Sequence, residues 1–79
     1  MKDFLEFLVT GIVKNADQVY VTEEQQPDNF INLKLSVSKE DMGLVIGKEG
    51  RTIKSLRNLL KAKAIKENIR VNLELSEEN

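Results

Sequence analysis

Gly47 and Gly50 stand three residues apart, enclose Lys48 and Glu49, and are followed directly by Arg51, Thr52, Ile53 and Lys54. Glycine lets a backbone turn sharply and bring its N–H groups against another molecule with no side chain in the way. A helix that starts just after Gly50 adds the partial positive charge of its N-terminus at the same place. The chemistry this suits is holding a phosphate. Lys48 supplies a charge at the loop tip, and Arg51, Lys54 and then Arg57 extend it along the following helix. Ile46 and Ile53 flank the loop and offer an apolar floor for bases. Glu49 works against an anion in the same loop. The expected grip is therefore modest, with a shallow dependence on salt because few phosphates are contacted.

Other chemistries lack their residues. The 79-residue chain has no cysteine and no histidine, which removes disulfides, thiolate metal sites, the commonest general base and the commonest metal ligand. The acids are spread over predicted solvent faces with no close pair, so neither an enzyme nor a metal site nor a cofactor is expected. Gly43 to Gly47 is not a nucleotide-triphosphate loop: three residues separate the glycines where four are needed, and Glu49 follows Lys48 where Ser or Thr is needed. No apolar run reaches the roughly 20 residues of a membrane span. No basic region followed by a long apolar stretch opens the chain, so a cytoplasmic protein is expected.

The net charge of −1 conceals a strong polarity. From Met1 to Asn32, Lys2 and Lys14 face Asp3, Glu6, Asp17, Glu23, Glu24 and Asp28. From Gly47 to Arg70, Lys48, Arg51, Lys54, Arg57, Lys61, Lys63, Lys66 and Arg70 face only Glu49 and Glu67. The basic stretch begins at the glycine loop, so the distribution argues for a local anion site where the total does not.

The elements that must position the loop follow from periodicity. Phe4, Leu5, Leu8, Val9 and Ile12 predict a helix from Asp3 to about Asn15. Val19 to Glu24 reads as a strand, Gln25 to Asn29 as a turn around Pro27, and Ile31, Leu33, Leu35 and Val37 as a half-buried second strand. Ser38 is a candidate N-cap, with Asp41 at the third helical position, for a short helix ending at Gly47. Gly43 inside that helix is expected to permit close packing, within the domain or against a partner chain. Arg51 to about Lys66 is the longest helix: Ile53, Leu56, Leu59, Leu60 and Ala64 form its apolar stripe, and Lys54, Arg57 and Lys61 a separate basic one. Ile69 to Leu75 alternates as a third strand, and residues 76–79 read as a frayed polar tail. The order is α-β-β-α-α-β in one domain over residues 1–79. Each strand has one apolar face, so three helices should cover one side of a three-stranded sheet.

A GXXG loop between two helices is the mark of KH domains. Asp41-Met42-Gly43, Val45-Ile46-Gly47-Lys48 and Gly50-Arg51-Thr52, with Lys54 and Arg57 following, resemble the core of a bacterial KH domain. The element order resembles the α+β type II, or prokaryotic, topology. With its length, the chain is similar to the KhpA (YlqC) family of small KH-domain RNA-binding proteins. That resemblance implies binding of about four single-stranded nucleotides, with Leu33 or Leu35 on the strand wall of the groove. It also implies homodimerisation or pairing with a KhpB (Jag)-type KH protein, and a chaperone role on RNA that affects gene expression, cell-wall growth and cell shape. Two alternatives remain open at this stage: a single-stranded DNA binder, and a protein-interaction or dimerisation module with incidental nucleic-acid affinity.

Overall fold

In the second strand, β2 (Phe30–Val37), Ile31, Leu33, Leu35 and Val37 are buried, while Asn32, Lys34 and Ser36 face outward. The computed structural model describes residues 1–77. β2 is the middle strand of three. β1 (Tyr20–Gln26) pairs with it antiparallel, and β3 (Arg70–Glu77) pairs with it parallel. A parallel neighbour requires a crossover. Here the crossover is α2 (Met42–Ile46), a single 3-10 turn at Lys48–Gly50, and α3 (Arg51–Lys66). Together with α1 (Lys2–Thr10), these helices cover the apolar face. Leu5 and Val9 of α1, Val45 of α2, and Leu56 and Leu60 of α3 complete one core with the strands. The opposite face is polar: Asn72 Nδ2 donates to Asn32 Oδ1 at 2.7 Å, and Lys34 pairs with Glu24 at 3.4 Å. The fold is the expected α+β arrangement.

Boundaries differ in three places. α1 stops at Thr10, not near Asn15, with Gly11 at its C-cap. Ile12 and Val13 still pack against the core, but from a turn. Their spacing reported burial, which a turn satisfies as well as a helix. β1 continues through Gln25 and Gln26, which pair with Ile31 and Phe30, so the turn shrinks to residues 27–29 with Asp28 and Asn29 left-handed. β3 runs on through Ser76 and Glu77, opposite Ser36 and Val37. The tail expected from residue 76 is thus strand for two residues, and residues 78 and 79 lie outside the described ones.

The segment between α1 and β1 is tied to the start of α2 by a buried carboxylate. Ser38 caps the 3-10 turn (Lys39–Asp41) that leads into α2, one turn ahead of the helix it was expected to cap: its Oγ accepts the Asp41 N–H at 3.3 Å. Asp41 does more than the capping pattern foretold. It is fully buried, and its carboxylate accepts the N–H groups of Lys14 (3.1 Å) and Asn15 (2.9 Å), the Asn15 side-chain amide (3.1 Å) and the Ser38 hydroxyl (3.0 Å). Burial alone raises its pKa. The hydrogen bonds from Asn15, Lys14 and Ser38 outweigh that and hold it below the ordinary aspartate value. Because the folded pKa is depressed, the stabilisation is present above the unfolded-state pKa and is lost as pH falls through the folded one. Asp41→Asn should therefore lower the urea midpoint at pH 7. The gap between variant and wild type should narrow below the ordinary carboxylate range. A gap that stays constant from pH 7 to pH 2 contradicts this role.

Candidate nucleic-acid interface

The junction between α2 and α3 is built on backbone conformations that few residues accept. Gly47 closes α2 by donating to the Gly43 carbonyl at 2.8 Å, at φ 77° and ψ 171°. That region is essentially restricted to glycine. A Cβ on Gly47 would fall on the Thr52 hydroxyl and come within 2.8 Å of the Thr52 backbone nitrogen. Glu49 (φ 56°, ψ 27°) and Gly50 (φ 73°, ψ 15°) are both left-handed. A Cβ on Gly50 would meet nothing within 4 Å. Gly47 is thus required by packing and conformation, and Gly50 by conformation alone.

The loop's donors divide accordingly. The Gly50 N–H goes to the Gly47 carbonyl at 3.1 Å and the Arg51 N–H to the Lys48 carbonyl. These bonds leave the N–H groups of Lys48 and Glu49 uncommitted. α3 starts at Gly50 with no side-chain cap, so the positive end of a 16-residue helix opens onto the loop. Lys48, Arg51 and Lys54 are all exposed. The Glu49 carboxylate stands 3.8 Å from the Arg51 guanidinium, a solvent-exposed pair worth about 0–1 kcal/mol. It draws on the charge that would otherwise meet an anion.

The two isoleucines differ. Ile53 is half-buried against the core, while Ile46 is 39% exposed beside the loop. Leu33 and Leu35, the sequence-based candidates for the strand wall, are fully buried and cannot reach a ligand. The wall is β3. Arg57 Nη2 donates to the Leu73 carbonyl at 3.4 Å. Around that contact lies a trench of about 160 Å³ lined by Arg57, Leu60, Lys61, Val71, Asn72 and Leu73. The trench residues on β3 carried no sequence signal, because nothing in the chain's pattern says which strand lies at the sheet edge beside α3. Lys61 did carry one, as the third member of the basic stripe with Lys54 and Arg57. Gly43 also departs from expectation: its missing Cβ touches nothing within 4 Å, so no packing within the domain requires it.

Among the described residues, no group of three or more acidic, histidine or cysteine side chains could hold a metal ion, and no helix is long and apolar enough to cross a membrane.

Comparison with known proteins agrees with this geometry. The family profile described as KhpA/KhpB, KH domain, matches residues 2–75. The RNA-binding protein KhpA of Chlamydia trachomatis is 45% identical over 78 residues, covering 99% of this chain and 99% of the relative. The protein of the same name from Clostridium perfringens is 44% identical over 75 residues, covering 95% and 99%. Among solved structures, Era of Aquifex aeolicus bound to GDP·AlF4− matches with a TM-score of 0.64 at 15% identity. So does Era in complex with MgGDPNP and a segment of 16S ribosomal RNA. Each match covers 96% of this chain but only 29% of the Era chain, and at that identity the likeness is one of fold.

Proposed function

The chain belongs to the KhpA/KhpB family of KH domains, and from that premise we propose that it is a non-catalytic module, one domain over residues 1–79, that binds single-stranded RNA in the cytoplasm. The observation that carries the reading is the Gly47–Gly50 loop. A backbone that only glycine allows at residue 47 turns the chain directly into an uncapped helix N-terminus ringed by exposed cations. The Lys48 and Glu49 N–H groups and the Lys48 ammonium hold phosphate. Arg51, Lys54 and Arg57 steer and anchor the strand, and Ile46 and Ile53 pack bases. The name carried by the relatives supports RNA over single-stranded DNA. By the same kinship we propose pairing with a second copy or with a KhpB (Jag)-like KH protein. A chaperone role in post-transcriptional regulation, linked to cell-wall growth and cell shape, belongs to the same reading.

Fluorescence anisotropy with single-stranded RNA, single-stranded DNA and duplex RNA of one sequence tests the reading. Single-stranded RNA should bind tightest, and equal binding of the duplex would refute it. Within that assay Glu49→Lys removes the acid and adds a cation at the loop. Affinity should rise roughly tenfold at low salt, and the slope of log K against log salt should steepen by about 0.7, the increment for one further phosphate contact on a single strand. An unchanged affinity would show that the loop does not face the strand. A second reading, a dimerisation module with incidental nucleic-acid affinity, is favoured by Phe7 and Leu59, which are large and exposed on the helical layer. Sedimentation across a concentration series separates the two, because RNA binding with no change of mass excludes a dimerisation unit.

A further inference from the structure

We infer that the trench continues into a further nucleotide subsite at the far end of α3, built from Lys61, Ile65 and Ile69; this rests on the single-stranded RNA reading of the glycine loop. The trench beside Arg57 shares Lys61 and Val71 with a second hollow of about 300 Å³, lined by Lys61, Ala64, Ile65, Ile69, Arg70 and Val71. The two are one path along the β3 edge. Arg57 donates to the Leu73 carbonyl, Lys61 and Val71 line both hollows, and Ile65 and Ile69 line the second. α3 therefore runs antiparallel to β3 in rows of four helix residues to two strand residues. Four helical residues rise about 6 Å and two strand residues about 6.6 Å, so the rows stay in step. Extending the series one row toward the glycine loop sets Ile53 opposite Leu75.

An unstacked strand is longer per nucleotide than the roughly 3.4 Å of a stacked one. At one nucleotide per row, the loop and the rows at Ile53, Arg57 and Lys61 take four nucleotides. The row at Ile65 takes a fifth. Its chemistry fits a nucleotide. Ile65 is 75% exposed, an apolar wall that no other described residue covers. Ile69 and Ala64 form an apolar floor for a base, and Lys61 stands at the rim for its phosphate. No acid lines this hollow. Beyond Ile65 the next hollow brings in Asp28, which ends the favourable path for an anion.

The test uses labelled oligouridines and oligoadenosines of four, five, six and eight nucleotides with wild type and Ile65→Ser. Wild type should tighten roughly fivefold between four and six nucleotides, the increment expected from one apolar contact of this size, and then level off. Ile65→Ser should melt with wild type, bind the four-nucleotide probe equally, and lose the increment. A wild type with no increment, or a variant that keeps it, overturns the subsite. So does a variant that loses the short probe as well. Sedimentation showing that Ile65→Ser only converts a dimer to a monomer, with the increment retained, overturns it in favour of a second copy. A wild type that binds none of the probes overturns the RNA reading itself.

Discussion

Gly47→Ala is expected to lower the melting temperature by roughly 15 °C, the largest loss of stability for an alanine at any of the four glycines. Two costs combine. The conformation at φ 77° and ψ 171° carries about 1–3 kcal/mol for any residue but glycine. The new Cβ also meets the Thr52 backbone nitrogen at 2.8 Å, and a backbone atom in the first turn of α3 cannot swing aside as a side-chain tip can. A total of about 3 kcal/mol, at roughly 4–8 °C per kcal/mol in a domain of this size, gives the expected shift. Small domains begin with little margin, so part of the population should unfold near physiological temperature. Thermal melting by circular dichroism checks it. A shift under about 3 °C would mean that the α2–α3 junction relaxes freely, and Gly47 would then be read as a ligand-binding glycine only.

Gly50→Asp should do the reverse: lose the ligand and keep the fold. The left-handed conformation at Gly50 is one that Asp and Asn tolerate better than other residues, and a Cβ there enters open space. The cost to stability should stay near 1 kcal/mol. The carboxylate, however, enters the loop proposed to hold the phosphate. Binding of single-stranded RNA should fall roughly a hundredfold at low salt, equivalent to about 2.7 kcal/mol. Gly50→Asn is the control, with a similar backbone preference and no charge, and it should keep most of the affinity. Asp and Asn variants that bind alike would show that the loop is not a phosphate site. Only position 50 separates binding from folding cleanly, because the bond and packing at position 47 serve both.

How much of this was legible in the sequence depends on which physical signal each residue carries. Ile31, Leu33, Leu35 and Val37 reported a strand with one buried face because alternation at period two matches the pleat of a strand and no helical repeat. Ser38 reported a cap, since a hydroxyl ahead of an amide run has a specific partner. The Gly47–Gly50 turn between two helices was legible because glycines three apart interrupt one apolar helical pattern and precede another. Ile12 and Val13 misled the helix boundary, since periodicity records which residues are buried and not which hydrogen bonds their backbone makes. Leu33 and Leu35 were misplaced on the groove for a different reason. Which strand borders α3 is a matter of sheet order, and sheet order is not written in any local pattern. Asp41 looked like a capping residue, but its main partners, Lys14 and Asn15, lie 27 and 26 residues away.

The strand order has a consequence for the timing of synthesis. The glycine loop and α3 leave the ribosome before β3, yet β3 forms the second wall of the trench and pairs with β2 across a separation of 40 residues (Asn32 with Asn72). Domains fold as units, and an element that pairs across such a separation waits until its partner exists. A nascent chain that has emerged only as far as α3 presents cations and a glycine loop with no groove to hold a base. On the proposed reading, selective capture of RNA therefore begins only once β3 is made.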